Sequence, residues 1–475
     1  MEAPGVIGLP CYNPRDFGAR GDGTTKDTAA IQKAMDACAA AGGGTVYLGP
    51  GRYLTAPFYL ASNVTLYLEA GTIILGSQDR ADYAVVERRY AGTTQLTLEA
   101  LVNGVDLECV TLAGRGTIDG RGQPWWQAIR DHFKLPKDQR PALEEWKTTE
   151  ERVRKSIWHR PRLFELVRCR NVLMQGVTLQ NSGFWNLHLL YCRNAKLHAL
   201  TLLNPPDGCN ADGMDLDSCR DVCVSDCFLS VGDDCICLKS GWDEDGRRIG
   251  IPTENVTVTN CITHAGHGGV VIGSDMSGGV RNVVVSNCVF RGTDIGIRLK
   301  TMRGRGGAVE NFNVSNIVMD GVAHPIHMDM HYWKPTAPEP VSERTPRFRG
   351  FRFSQIDAVH AEAAGYIHGL EEMPIEGLRL DGVRIAAKKP FYCRHARDVE
   401  LRHLRLECEE GPELQLEDVA GVEIDHLRLR ETRAPGPAIR LTRTRGAVIQ
   451  DAGTAGANGR RLELVDTDAA EVGQA

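Results

Sequence analysis

The sequence predicts an all-β protein whose strands wind into a parallel β-helix, and three observations lead to that fold class. A three-residue motif, in which a charged residue is followed by Asn or Asp and then by an apolar residue, recurs along the chain. After each copy, apolar and polar residues alternate with the period of a β-strand. The 51 glycines and the aromatic content of 6% suit a turn-rich core of stacked aliphatic side chains.

The repeats are short, and none contains a predicted helix. Their first residues are Arg170, Arg193, Arg220, Glu254, Arg281, Glu310 and Arg397. The first two steps along the chain measure 23 and 27 residues, which lies within the range of solenoid repeats. A leucine-rich or helical repeat would carry its own residue signature, which this chain lacks. The repeats therefore favour a parallel β-helix.

The N-terminal segment, at about residues 14–60, predicts a cap on this solenoid. A glycine-rich turn at residues 16–23 leads to Asp27, a candidate N-cap, and to a helix over residues 28–40 with one apolar stripe. Such a helix can cover the open end of a solenoid, where unpaired strand edges invite aggregation. Short strands are then predicted at residues 45–48, 53–55, 63–68, 71–75 and 116–120.

Residues 125–162 are rich in charged and aromatic side chains and predict a partly helical insertion. Its tryptophans either line the wall of a cleft or pack the insertion onto the body; they are Trp125, Trp126, Trp146 and Trp158. Residues 334–349 predict a surface loop, further coils extend over about residues 349–450, and a polar tail covers about residues 452–475. All of these parts are predicted to form one domain.

Charge and composition narrow the class of partner. The net charge of -6 and the pI near 6.2 give no reason to expect nucleic acid. No stretch reaches the roughly 18 apolar residues that span a membrane. Residues 1–5 contain neither a basic nor an apolar leader segment, so we expect a cytoplasmic protein, or a secreted one if the N-terminus has been trimmed. The sequence does not indicate an oligomeric state.

The 15 cysteines predict packing positions. Their number is odd, and no spacing resembles a small disulfide framework. Cys227, Cys261 and Cys288 fill equivalent positions in successive repeats, and Ile317 fills that position in a later one. A metal centre at residues 219–237 is the alternative, but that stretch has no Cys-x-x-Cys pair. An isoleucine at the same position favours buried packing.

Four short segments on successive coils carry the candidate chemistry, namely Asn210-Ala211-Asp212, Gly232-Asp233-Asp234, Gly266-His267-Gly268 and Arg298-Leu299-Lys300. Asp212 and Asp233 are 21 residues apart, which is one coil. Equivalent positions on neighbouring coils lie about 4.8 Å apart, so these acids should stack on one face. Arg298 and Lys300 are two residues apart on a strand and point the same way.

Clustered carboxyl groups beside an imidazole and two cations suit the hydrolysis of a glycosidic bond. That reaction needs one protonated carboxylic acid for the leaving oxygen and one carboxylate that acts on water or on the sugar. Crowded acids repel one another, so at least one pKa should rise and supply the proton donor. Each motif alone is typical of a turn or a solvated strand, and only their joint register favours a site.

This ordered set of motifs resembles the polygalacturonases of glycoside hydrolase family 28. The resemblance extends from the Asp-Phe-Gly-Ala-x-Gly-Asp-Gly segment at residues 16–23 to about Val322. It implies a single-stranded, right-handed parallel β-helix of the pectin-lyase type. It also implies hydrolysis of α-1,4-galacturonosyl bonds with inversion, without a metal or another cofactor. The expected partner is an acidic oligosaccharide or polysaccharide, such as a galacturonate-containing pectin fragment.

The resemblance also implies catalytic roles for four residues. Asp233 would be the general acid, and Asp212 and Asp234 would be the bases that activate water. His267 would support the acid through hydrogen bonding. The family usually has Asn-Thr-Asp where this chain has Asn-Ala-Asp, but the middle residue is not catalytic.

Four further residues are implied to bind substrate. Arg298 and Lys300 would bind the carboxylate of the +1 galacturonate, Tyr332 would lie near the same sugar, and Asn210 completes the set. An insertion at residues 240–248 and the segment 273–280 resemble the bacterial exo-acting branch, whose cleft is blocked at one end. The 125–162 insertion is the candidate wall, and without a leader, short oligogalacturonides are better substrates than pectin itself.

Three alternative functions stay open. A relative that acts on rhamnogalacturonan or another decorated pectin would share the fold and most of the site. A calcium-dependent polysaccharide lyase could use the clustered acids as its metal site, although His267, Arg298 and Lys300 argue against it. A non-catalytic carbohydrate-binding β-helix would have no need of acids in register on successive coils.

Overall fold

The computed structural model describes residues 10–140, 149–333, 336–429, 436–450, 453–454, 462–469 and 472–474. The chain divides into two compact units. The first unit contains residues 1–90, 94–214 and 221–223, and the second contains residues 91–93, 215–220 and 224–475. Strands Met214–Asp217 and Arg220–Ser225 include residues of both units. The prediction of a single domain stays a prediction.

The first unit consists of short parallel strands in three ladders. One ladder contains Cys11–Tyr12, Gly44–Leu48, Val64–Leu68, Glu108–Gly114, Arg170–Gln175 and Arg193–His198. The second contains Asp22–Lys26, Gly51–Thr55, Thr72–Gly76, Thr117–Asp119, Thr178–Gln180 and Thr201–Leu203. The third contains Phe58–Tyr59, Val102–Val105, Phe164–Val167 and Leu187–Leu190.

The helix Thr28–Ala40 lies in the first unit and confirms the predicted capping helix. It buries its apolar stripe, which includes Ile31 and Met35. Asp27 stands at the N-cap position, but its carboxylate does not cap the helix. It accepts instead from the backbone N–H groups of Arg20 at 2.7 Å and Gly21 at 2.9 Å. The carboxylate therefore ties the glycine-rich turn to the start of the helix.

The insertion at residues 125–162 is partly helical, as predicted, with α-helices Gln123–Lys134 and Glu150–Lys155. The side chains of Trp125 and Trp126 are 5% and 1% exposed, so they pack the insertion onto the body and offer no surface to a ligand. Trp158 packs edge-on against His132. Trp146 lies outside the described residues. Single 3₁₀ turns occur in this unit at Pro14–Phe17, Arg80–Asp82 and Lys137–Gln139.

A two-stranded sheet, Val85–Tyr90 and Thr93–Leu98, is a feature that the sequence analysis missed. Its first strand packs within the first unit, where the Tyr90 ring stacks on Phe184 at 4.6 Å. The Arg162 guanidinium donates to the carbonyl oxygen of Arg89 at 3.1 Å. These contacts link residues more than 70 positions apart, which no local pattern indicates.

The second unit continues the same design. One ladder contains Asp234–Lys239, Gly268–Gly273, Ile295–Lys300 and His324–Asp329. In a second ladder, Thr253–Thr259 pairs with Val280–Arg291, which pairs in turn with Ala308–Asp320. In a third ladder, Phe228–Ser230 pairs with Ile262–Ala265, which pairs with the later part of Val280–Arg291. Longer or later strands are Arg347–His368, Ile375–Arg402, Arg405–Cys408, Leu414–Asp425, Arg428–Leu429, Ile439–Thr442, Arg445–Gln450, Gly453–Thr454, Leu462–Val465 and Val472–Gln474. The helix Asp243–Ile249 forms part of the 240–248 insertion.

The recurring Asn or Asp of the repeat motif has a backbone explanation. Asn171, Asn194, Asn255 and Asn282 all have φ between 53° and 57°, in the left-handed region. Asn and Asp tolerate that region better than other residues with a side chain. The Asn282 amide also donates to the Asn255 side-chain oxygen at 3.1 Å, so the motif builds a ladder of amides. Both units are right-handed parallel β-helices, which confirms the predicted fold class.

The predicted packing role is confirmed for the cysteines of the repeat position, whereas Cys11, Cys109 and Cys223 are exposed. Cys227, Cys261 and Cys288 are each 1% exposed, and Cys288 pairs in register with Ile317, which is equally buried. Within the segment predicted as a polar tail, Leu462–Val465 pairs with Ile439–Thr442 and extends the ladder. Among the residues that the structure describes, none of the helices is long and apolar enough to cross a membrane.

Candidate active site

A pocket in the second unit collects most of the predicted site residues. Its volume is about 290 Å³, and it is lined by Asp233, His267, Asp294, Ile295, Arg298, Lys300 and Tyr332. Three of these residues share one place in the fold. Asp233, His267 and Asp294 each stand directly before a strand of the same ladder. Parallel pairing of those strands brings the three side chains together.

Asp234 is fully buried beneath the pocket and is paired with both predicted cations. The Lys300 ammonium donates to its Oδ2 at 2.7 Å, and the Arg298 guanidinium donates to its Oδ1 at 3.3 Å. Burial alone would raise the pKa of Asp234, but the charges of Lys300 and Arg298 outweigh burial and lower that pKa to about 2. Asp234 is therefore ionised at any physiological pH.

Asp233 is half-buried, and the pKa of its carboxyl group is shifted in the opposite direction. Burial raises the pKa of its carboxyl group, and the negative charge of neighbouring Asp234 raises it further. One carboxylate oxygen of each residue lies within 4.8 Å of the other. The pKa values of two adjacent carboxyl groups are thus shifted in opposite directions, an arrangement that suits acid–base catalysis.

The ring and the backbone of His267 are both held in place by neighbouring residues. Its Nδ1 lies 2.5 Å from Oδ2 of Asp294, and its backbone N–H donates to the Asp233 carbonyl oxygen at 2.9 Å. The close backbone approach explains the preceding glycine. A Cβ on Gly266 would lie 2.6 Å from the Asp233 carbonyl oxygen, nearer than real Cβ contacts allow. The Gly-His-Gly segment is therefore shaped to hold the imidazole beside Asp233.

Arg298 and Lys300 face the same pocket, as their spacing predicts. They are 17% and 8% exposed in their side chains, so both are largely shielded from water. The ring of Tyr332 lies 5.6 Å from the Arg298 guanidinium carbon and 5.4 Å from the Lys300 nitrogen. The Tyr332 backbone N–H donates to the Thr301 carbonyl oxygen at 3.0 Å, which anchors the tyrosine at the end of the Lys300 strand.

Asn210 and Asp212 belong to the first unit, and both precede strand Met214–Asp217. Asp212 is 3% exposed, and its carbonyl oxygen accepts from the Asn186 backbone N–H at 3.0 Å. Asn210 adopts a left-handed backbone conformation with φ of 49°. The predicted stacking of Asp212 on Asp233 and the predicted roles of both first-unit residues stay predictions.

Two residues that contact candidate site residues were missed by the sequence analysis. Asp294 is one, although its place directly before a strand, like that of Asp233 and His267, was a usable signal. Arg160 is the other, for its buried guanidinium donates to the Asn210 side-chain oxygen at 2.7 Å and to the Cys209 carbonyl oxygen at 2.6 Å. Because 50 residues separate Arg160 from Asn210, no local pattern links them.

The carboxylate of Asp234 is a poor fit for a metal ion. Calcium favours several carboxylate and carbonyl oxygens in one shell. Both oxygens of Asp234 already accept hydrogen bonds from protein cations. A calcium ion at Asp234 would displace or repel Lys300 and Arg298, so the local charge is balanced without it.

The chain resembles known proteins over most of its length. The model of glycosyl hydrolases family 28 matches residues 80–401, and that of rhamnogalacturonase A/epimerase, pectate lyase-like, matches residues 11–105. A probable polygalacturonase of Vitis vinifera is 31% identical over 395 residues, which are 80% of this chain and 76% of that protein. An exo-poly-alpha-D-galacturonosidase of Dickeya chrysanthemi is 27% identical over 66% of this chain, which spans 55% of that relative.

Solved structures of exopolygalacturonases are also similar to this chain. A hyperthermoactive exopolygalacturonase from Thermotoga maritima matches with a TM-score of 0.70 and 30% identity, over 80% of this chain and 87% of that chain. A family 28 exopolygalacturonase from Yersinia enterocolitica has the same fold, with a TM-score of 0.71 and 22% identity, over 92% of this chain and 77% of that chain. Since the family model matches more than half of the chain, the protein belongs to glycosyl hydrolases family 28.

Proposed function

We propose that the protein hydrolyses α-1,4-galacturonosidic bonds in galacturonate oligomers, acting from one chain end and inverting the anomeric centre. The observation that carries the proposal is the pair of adjacent carboxyl groups, Asp233 and Asp234, whose pKa values are shifted in opposite directions beside two cations. One group is suited to donate a proton and the other to accept one. The cations give the same pocket an affinity for an acidic sugar.

In this mechanism Asp233 is the general acid. Its raised pKa keeps the proton that must pass to the glycosidic oxygen as the bond breaks. His267 lies beside it, held by Asp294 at 2.5 Å, and positions the acid through hydrogen bonding. Departure of the protonated leaving group leaves positive charge on the anomeric carbon, which the ionised Asp234 stabilises.

Asp234 acts as a base toward water and not as a nucleophile. Two hydrogen bonds from cations hold its carboxylate in place and keep it ionised. Its oxygen lies within 4.8 Å of Asp233, closer than the separation of about 6.5–9.5 Å that is typical of inverting glycosidases. We propose inversion on the family resemblance alone. Asp212, one repeat earlier in the sequence, is proposed as the second base.

Arg298 and Lys300 are proposed to bind the carboxylate of the +1 galacturonate, with Tyr332 against the sugar ring. Planar guanidinium and compact ammonium groups recognise carboxylates by charge-assisted hydrogen bonds. Lys300 carries three N–H donors, and one of them is used by Asp234. Asn210 is proposed as a further substrate-binding residue, oriented by the buried Arg160.

The exo mode is supported by one relative in sequence and by one solved structure. The Dickeya chrysanthemi relative is named an exo-poly-alpha-D-galacturonosidase, and the Thermotoga maritima structure is that of an exopolygalacturonase. The latter is 30% identical over 80% of this chain. The proposed partner is thus an acidic oligosaccharide with a free end.

The test is brief digestion of a defined galacturonate oligomer, with and without a chelator, in parallel with the Asp233→Asn variant. We expect monogalacturonate from the first time point, with the inverted β-anomer seen by NMR and no effect of the chelator. Mixed oligomers would overturn the exo mode, and the α-anomer would overturn inversion. Unsaturated, ultraviolet-absorbing products would indicate a lyase. No product would direct attention to rhamnogalacturonan fragments or to binding without catalysis.

A further inference from the structure

Trp333 is an exposed aromatic residue in an unusual backbone conformation. Its side chain is 78% exposed, whereas large apolar side chains in this protein are mostly buried. Its φ is +75°, in the left-handed region that bulky residues rarely adopt. Conformations of this kind persist where the surroundings impose them, and they cluster at ligand-binding sites.

The chain leading to Trp333 is held firmly. The His331 backbone N–H donates to Asp329 Oδ1 at 2.8 Å, and His331 Nε2 lies 3.0 Å from the Gly369 carbonyl oxygen. The next residue, Tyr332, is anchored to Thr301 at 3.0 Å. Trp333, with its unusual backbone conformation, thus comes directly after an anchored segment of the chain.

Trp333 stands at the edge of the candidate active site. Its ring is nearly parallel to that of Tyr332, with an interplanar angle of 16° and centroids 6.3 Å apart. Tyr332 lines the pocket together with Arg298 and Lys300, whereas Trp333 is not among the lining residues. The indole therefore extends the aromatic surface of Tyr332 outside the pocket.

We propose that Trp333 is a binding platform for the pyranose ring that follows the +1 galacturonate, which would be the +2 sugar. An indole face offers a large apolar surface, and ordering it costs little because the side chain has only two torsions. It would contact the C–H groups of the ring rather than its carboxylate. The platform should therefore accept galacturonate and its uncharged ester alike. This inference rests on the proposed function.

The kinetic test compares digalacturonate, which ends at the +1 sugar, with trigalacturonate, which reaches the platform. We expect Trp333→Ala to lower kcat/KM for trigalacturonate about tenfold more than for digalacturonate, as the loss of one aromatic contact would. Trp333→Phe should retain most of the difference. Val318→Ala, which removes another exposed apolar group of the second unit, should leave the ratio at its wild-type value. Equal effects on both substrates would overturn the proposal.

A binding measurement separates this proposal from the proposed function. In the Asp233→Asn background, calorimetric titration should show tighter binding of trigalacturonate than of digalacturonate. Adding Trp333→Ala should remove that gain. If the wild-type protein hydrolyses neither oligomer, the proposed function fails, and the titration still decides the role of Trp333. A gain that survives Trp333→Ala would overturn the platform.

Discussion

At the residue scale, Asp233 and Asp234 show how two identical side chains acquire different tasks. Asp234 is buried but neutralised by Lys300 and Arg298, so its pKa falls to about 2. The pKa of Asp233 rises through burial and through the charge of Asp234. A general acid must be protonated, so activity should fall as pH rises through the raised pKa of Asp233. A base must be ionised, so activity should also fall as pH drops through the pKa of Asp234.

Replacing Asp233 by Asn should lower kcat by about 10²–10⁴-fold, because the proton donor of the reaction is lost. The neutral amide resembles the protonated acid in shape and charge, so the melting temperature should stay close to that of the wild type. Steady-state kinetics on trigalacturonate and a thermal melt check both points. Wild-type turnover by this variant would remove Asp233 from the role of acid.

Lys300→Met should move the acid limb of the kcat/KM profile to higher pH. Without the ammonium group, the pKa of Asp234 should rise from about 2 toward its ordinary value of 3.8. KM should increase as well, because one carboxylate-binding cation is missing. Lys388→Met, which removes an exposed lysine paired with Glu362, is the control. An acid limb that does not move would contradict the pairing of Lys300 with Asp234.

Asp294→Asn should lower kcat about tenfold with a smaller effect on KM, because Asp294 orients His267. The chain offers a matched control in Asp320→Asn. Asp320 forms a similar exposed pair with His360 at 2.8 Å, outside the residues that line the pocket. Equal kinetic effects of the two substitutions would argue against a positioning role for Asp294.

At the element scale, the ladder of parallel strands determines which residues meet. The residue before each of three successive strands lines the pocket, and the strands pair in register from Asp234–Lys239 through Gly268–Gly273 to Ile295–Lys300. A shift of one residue would turn these side chains to the other face. The apolar residues of the same strands are buried and resist such a shift.

Gly266→Ala should disturb this element more than an ordinary glycine substitution. A Cβ at Gly266 would meet the Asp233 carbonyl oxygen at 2.6 Å, so the segment carrying His267 must move. We expect a lower melting temperature together with a large loss of kcat.

Gly321→Ala provides the control for backbone strain alone. Gly321 has φ of +66°, and no other atom lies within 4 Å of the place that a Cβ would occupy there. The substitution should therefore lower the melting temperature but spare kcat. If Gly266→Ala behaved like Gly321→Ala, the close approach at Asp233 would not be needed for catalysis.

At the scale of the whole molecule, the fold class and the order of the site segments follow from the amino-acid sequence alone. Asn or Asp at a left-handed position and alternating apolar residues recur in each repeat, and both are local properties of the chain. The Arg-x-Lys spacing likewise predicts that Arg298 and Lys300 share a face, since alternate residues of a strand point the same way. Asp294 could have been predicted as well, because it stands directly before a strand, as Asp233 and His267 do.

The distribution of charge and of exposed aromatic surface depends on tertiary packing. Lys300 pairs with Asp234 across 66 residues, and Arg160 reaches Asn210 across 50, so neither contact has a local signal. Burial makes Trp125 and Trp126 packing residues, whereas Trp333, equally aromatic in the sequence, faces solvent beside the pocket. A side chain's exposure and charge partners depend on which coils and insertions pack around it. The sequence therefore predicts the candidate site, and three-dimensional packing shifts the pKa values and exposes the surfaces on which its chemistry depends.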